Sequence, residues 1–149
     1  MKVELKALKN YPDMGMEGGA WSATLYLDGK RVARVKDNGD GGGNYCEAYG
    51  PASKFAEQNA KLKEFYAWCK EQPDEQTKYG PLSMNTDYFL GILFEKEMLE
   101  KDLKRWARTS IVYRLKGDPK GSYQRVSPRK QEWIDQIKAE HGDKLEMIR

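Results

Sequence analysis

The chain reads as an α+β protein: an N-terminal antiparallel β-sheet, two central helices, then a C-terminal β-hairpin and helix. Three observations carry that reading. Apolar Trp21, Ala23, Leu25 and Leu27 alternate with Ser22, Thr24 and Tyr26, the period of a half-buried strand. Tyr88, Ile92, Leu99, Leu103 and Trp106 recur at helical spacing. Gly-, Asp- and Pro-rich stretches separate short alternating segments towards both ends. At 149 residues, 39% hydrophobic and 33% charged, the chain suits a single domain over 1–149 that folds without a metal or disulfide.

The elements follow in order. Val3, Leu5 and Ala7 alternate with Glu4 and Lys6, a first strand. Residues 10–19, with Pro12 and several glycines, form a loop before the Trp21 strand. Asp28-Gly29 marks a hairpin. A two-residue loop would set Ala23 opposite Arg34. A three-residue loop, Asp28-Gly29-Lys30, sets Ala23 opposite Val35 and Leu25 opposite Ala33, and keeps one face apolar. Arg34 and Lys36 then share the outer face with Ser22 and Thr24. Residues 44–49 form the next strand.

Gly50-Pro51 opens a helix whose inward face carries Phe55, Leu62, Phe65, Tyr66 and Cys69. Pro73 ends it, and 72–81 is a connector. The longer helix starts near Asn85. Its acids (Asp87, Glu95, Glu97, Glu100) come early and its bases (Lys101, Lys104, Arg105, Arg108) late, the order that suits the helix dipole. Residues 111–116 and 122–126 form a second hairpin. Ser127-Pro128 reads as N-cap and first position of a last helix, with Trp133, Ile134 and Ile137 inward and Gly142 as C-cap. Residues 145–148 suggest a short final strand.

Chemistry is constrained mostly by exclusion. Gly39-Asp40-Gly41-Gly42-Gly43 lies between strands and lacks the following helix that a phosphate or dinucleotide loop requires. Its glycines serve a turn or bulge, with Gly41, Gly42 and Gly43 as a secondary candidate for a backbone N–H nest around an anion. His141 is the only histidine, placed in the last turn of the final helix where it can meet free carbonyls. Cys46 and Cys69 form no CxxC pair and read as reduced thiols. Pro12-Asp13 with Asp28-Gly29-Lys30, or Pro73-Asp74 with Asp102 and Lys104, match a nuclease pattern in letters, but not on a core strand. Hence no catalytic residue, metal site or cofactor is expected.

Charge is uneven. Residues 101–130 hold ten basic side chains against Asp102 and Asp118, a net of +8, while the chain as a whole carries +3. Trp106, Tyr113 and Tyr123 lie among the bases, a mixture that suits phosphate and a stacked base. Arg105, Arg108, Arg114, Lys116, Tyr123 and Arg125 are therefore the candidate surface for an anionic partner. No apolar run is long enough for a membrane span and no signal peptide is evident, so a cytoplasmic protein without membrane partners is expected. Nothing fixes its oligomeric state.

The segments TLYLDGKRVARVKDNGDGGGNY and IVYRLKGDPKGSYQRVSPRKQEWIDQIKAEHGDKLEMIR, with the helical middle between them, resemble small accessory proteins of bacteriophages, plasmids and bacteria, mostly of unassigned function. The resemblance spans most of the chain and rests on architecture. It implies no catalytic residues. It implies a phage-like setting in the host cytoplasm, where small folded proteins bind host proteins or defence signals. The leading expectation is thus a non-enzymatic binding protein that counteracts host defence, with a defence protein or a nucleotide signal as partner. The alternative is a small nucleic-acid-binding protein using 101–130. A metal-dependent nuclease ranks third.

Overall fold

The computed structural model describes residues 1–15 and 19–149. The fold is α+β, and the chain divides into two compact units, Met1–Glu97 and Met98–Arg149, each described by itself.

In the first unit, β1 (Val3–Tyr11), β2 (Ala20–Leu27), β3 (Lys30–Asp37) and β4 (Asn44–Ala48) form one antiparallel sheet in sequence order. The β2–β3 register is the expected one: Ala23 faces Val35, Leu25 faces Ala33, and Thr24 and Ser22 face Arg34 and Lys36. The means differs from expectation. Asp28 and Gly29, with φ of 50° and 82°, make a two-residue turn closed by the Leu27–Lys30 pair. The register then shifts by one residue, so that Val32 is the extra member of a bulge. A bulge, rather than a longer loop, keeps Ala23, Leu25, Ala33 and Val35 buried together. A second irregularity lies between Lys6 and Lys9 of β1, where Ala7 has φ of 52° and is exposed. The simple alternation expected there ends at Leu5, and the strand runs on to Tyr11.

A short 3-10 turn, Ala52–Lys54, leads from Pro51 into α1 (Phe55–Lys70), which packs on β3 and β4. Leu62, Phe65 and Cys69 are buried as expected, whereas Phe55, on the first turn, is exposed. The segment expected to be a plain connector contains a small hairpin, β5 (Glu75–Thr77) with β6 (Gly80–Leu82). Next comes α2 (Thr86–Trp106), which runs through the boundary between the units. Asn85 caps it: the Tyr88 N–H donates to Asn85 Oδ1 at 2.8 Å. Within the first unit α2 buries Leu90 and Phe94, two residues off the stripe read from the sequence. Phe94 stacks on Trp21 with ring centroids 4.1 Å apart, and Phe89 meets Trp68 edge-on at 5.2 Å.

In the second unit β7 (Ile111–Leu115) is the central strand, between β8 (Gln124–Val126) and β9 (Leu145–Ile148). Ile111 packs with Ile134 and Ile137 of α3 (Gln131–His141), and Trp133 and Val126 close around them. The final strand is thus real and completes the sheet. The helix start is corrected. Ser127-Pro128 is a cis peptide, and α3 begins three residues later, after Lys130. Gly142 is the C-cap as expected, its N–H donating to the Lys138 carbonyl. His141 lies with its ring against Tyr113, 5.6 Å between centroids, and Gly142 serves the carbonyl instead.

Candidate functional site

The glycine loop of the first unit is occupied by its own chain. Gly39 N–H donates to Asp37 Oδ1 at 2.8 Å, and Gly42 N–H to Asp40 Oδ1 at 2.9 Å. Asn44, just beyond, donates its N–H to Asp87 Oδ1 at 2.7 Å and its side-chain amide to the Asp87 carbonyl at 2.8 Å. Asp87 sits in the first turn of α2, where a carboxylate also suits the helix dipole. Gly41 and Gly43 have φ of 81° and 80°, and Gly42 is not in that region. A Cβ on Gly43 would stand 2.9 Å from Asp87 Oδ1. The glycines therefore serve a turn, and Gly43, not Gly42, combines a positive φ with a close side-chain neighbour. An external anion at Gly41, Gly42 and Gly43 would face Asp40 and Asp87, so this geometry opposes the nest reading. Asp87 is the residue that sequence reasoning missed here. Its only signal was an acid in the first turn of a helix.

In the second unit the six candidate residues divide. Arg114 is committed to the fold. Its Nε donates to Glu146 Oε2 at 2.6 Å. Its Nη1 donates to the carbonyls of Pro119 (2.6 Å) and Ser122 (2.9 Å), and its Nη2 to that of Asp118 (2.7 Å). Four of five guanidinium N–H groups are thus used, and the side chain is 17% exposed. Arg114 ties down the loop from β7 to β8, while Asp118 Oδ2 accepts the Leu115 N–H at 3.0 Å. Tyr123 lies beside it, 5.8 Å from ring centroid to guanidinium carbon.

The other four are exposed. Arg105 pairs with Asp102 at 2.9 Å across one helical turn, a surface contact of little energetic weight. Arg108 follows the end of α2, and Lys116 follows β7. Arg125, opposite Val112 on β8, holds its guanidinium 4.9 Å over the Trp106 ring. Beyond them Arg129 Nη1 donates to the Ser110 carbonyl at 3.4 Å, and Lys130 lies 5.0 Å over Trp133. Of the six, Arg105, Arg108, Lys116 and Arg125 are exposed, while Arg114 is engaged within the fold.

Asp28 and Gly29 stand in the β2–β3 turn, away from the core-strand position that a nuclease carboxylate would take. Among the described residues, no three His, Cys, Asp or Glu side chains gather as metal ligands. Cys46 and Cys69 are free. Burial pushes Cys46 up to about 11, against the lowering effect of a hydrogen bond with Tyr66. Burial likewise pushes Cys69 up to about 11 and Tyr66 to about 12. At neutral pH these thiols are protonated and poor nucleophiles. Among the described residues no helix is long and apolar enough to cross a membrane. Comparison with known proteins finds no family model, curated protein or solved structure that matches this chain.

Proposed function

We propose that the protein is a non-enzymatic binding protein of a phage or other mobile element, working in the host cytoplasm against a defence system. Its anionic partner is held by the exposed bases of the second unit: Arg105, Arg108, Lys116 and Arg125. The observation that carries this reading is Arg125. Its guanidinium rests on Trp106 at 4.9 Å and, among the described residues, has no carboxylate partner. A guanidinium placed over an aromatic ring and without a carboxylate partner has N–H donors to offer a carboxylate or phosphate. The resemblance to mobile-element accessory proteins supports the setting, and an acidic surface of a defence protein is the partner that fits an exposed basic face. The same stack favours nucleic acid as the second reading, since a base can extend it.

A pull-down from host lysate with the wild-type chain and with an Arg108→Glu/Arg125→Glu variant, each with and without nuclease, tests the proposal. Capture of a protein that survives nuclease and is lost in the folded variant supports it. Capture that disappears with nuclease turns the reading to nucleic acid. Equal capture by wild type and variant removes this surface from consideration.

A further inference from the structure

A second basic feature lies wholly within the first unit, and nothing in the charge count of 101–130 points to it. Between the β2–β3 turn, residues 49–51 and the start of α1 is a cleft of about 540 Å³. Such a volume falls within the usual range for small-molecule sites, roughly 300–1,000 Å³. Lys30, Arg31, Lys54 and Lys61 line it, against two carboxylates, Asp28 and Glu57. One of those is partly engaged, since Asp28 Oδ1 accepts the Lys2 N–H at 2.9 Å. Lys61 reaches Glu64 at 3.9 Å, but among the described residues Lys30, Arg31 and Lys54 have no ion pair.

The cleft is also held in shape. Arg31 stacks on the Tyr49 ring with its guanidinium carbon 4.0 Å from the centroid. Tyr49 is fastened in turn to α1: its N–H donates to Gln58 Oε1 at 2.7 Å, and Gln58 Nε2 donates to its carbonyl. Gln58 is buried, so this pair of hydrogen bonds lies in a partly dry site and links the end of β4 to the helix. The Asp28-Gly29 turn leads directly into Lys30 and Arg31 at the start of β3, and both line the cleft. Leu27 and Val32, both buried, give part of the lining an apolar character. A fixed guanidinium, two unpaired lysines and an apolar wall match a phosphate joined to a less polar body. A lone phosphate would leave most of the volume empty.

We propose that the cleft formed by Lys30, Arg31, Tyr49 and Lys54 binds a small phosphorylated molecule of nucleotide size. This site is independent of the basic face of the second unit. Calorimetric titration at low salt with ADP, pyrophosphate, inorganic phosphate and adenosine tests it. ADP binds saturably at one per chain, inorganic phosphate and adenosine more weakly by at least about tenfold, and Arg31→Ala and Lys54→Glu each weaken ADP by about tenfold or more. Lys54 is exposed, so Lys54→Glu reports on binding even if Arg31→Ala unsettles the stack. The Arg108→Glu/Arg125→Glu variant binds ADP as the wild type does, so failure here and failure of the macromolecular reading are separate results. No saturable binding of ADP or pyrophosphate up to about 1 mM, or ADP binding unchanged in Lys54→Glu, overturns the proposal.

Discussion

The glycine loop of the first unit and the 115–122 loop of the second solve the same problem with opposite charges. A tight loop strands backbone groups that no strand or helix satisfies. Around 37–44 the stranded groups are N–H donors, and carboxylates meet them: Asp37 on Gly39, Asp40 on Gly42, Asp87 on Asn44. Around 115–122 they are mostly carbonyls, and one guanidinium gathers three of them, from Asp118, Pro119 and Ser122. Seen as letters, one loop suggests an anion nest and the other a basic patch. Seen as hydrogen bonds, each is largely closed on itself. A charged residue beside a Gly-rich loop belongs first to that loop's own backbone, and only the remainder is available to a partner.

The largest effect should come from the second loop. Arg114→Ala strands three carbonyls and the Glu146 carboxylate, and is expected to cost about 3 kcal/mol in chemical denaturation. A next-smaller effect separates two adjacent glycines of the first loop. Gly43→Ala meets both a φ of 80° and the Asp87 carboxylate, for a loss of about 2 kcal/mol. Gly42→Ala has neither a positive φ nor a backbone clash, only Asp40 Oδ1 at 3.0 Å, and should stay within about 0.5 kcal/mol. Equal melting temperatures for the two variants would break the assignment of strain to Gly43. Asp87→Ala, which frees the Asn44 N–H to solvent, is expected to cost about 1 kcal/mol.

The smallest effect at neutral pH concerns β4, the strand that the glycine loop delivers. Cys46 and, on α1, Cys69 have thiols raised from 9.0 to about 11. The folded state thus holds their protons more tightly than the unfolded chain does. That contribution is fully present below about pH 9 and is lost as pH rises towards 11. Denaturation midpoints should be insensitive to these groups from pH 6 to 9 in a comparison of wild type with Cys46→Ser, and diverge only above. Divergence already at pH 7 would mean that the thiol titrates far lower.

Much of the fold was legible because its signals are local and periodic. The Trp21–Leu27 alternation, the Asp28-Gly29 turn, the final strand and the inward face of Ile134 and Ile137 all appear where the residues indicate. The misses have physical causes. Register at β2–β3 can be restored by loop length or by a bulge, and both place Ala23 opposite Val35. Ser127-Pro128 satisfies the letters of a helix start, but the last helix begins only after Lys130. In α2 the buried Leu90 and Phe94 lie beside the stripe, because packing against Trp21 decides the face that periodicity only narrows. At the candidate site, charge density could not tell the exposed Arg108 and Arg125 from Arg114, whose partners are three carbonyls, invisible to a charge count, and Glu146, outside the 101–130 window. The cleft around Arg31 was missed for the same reason. Its cations come from the start of β3, the 3-10 turn before α1 and α1 itself, which only the fold brings together.

The most direct test of this account sets Arg114→Ala against Arg125→Ala in the same denaturation experiment. Arg125 is exposed and gives up only its stack on Trp106, a contact of about 0.5–1 kcal/mol. Arg114→Ala is expected to lose about 3 kcal/mol and Arg125→Ala no more than about 1 kcal/mol. An Arg114→Ala variant as stable as the wild type would contradict it, and would return Arg114 to the surface proposed to meet a partner.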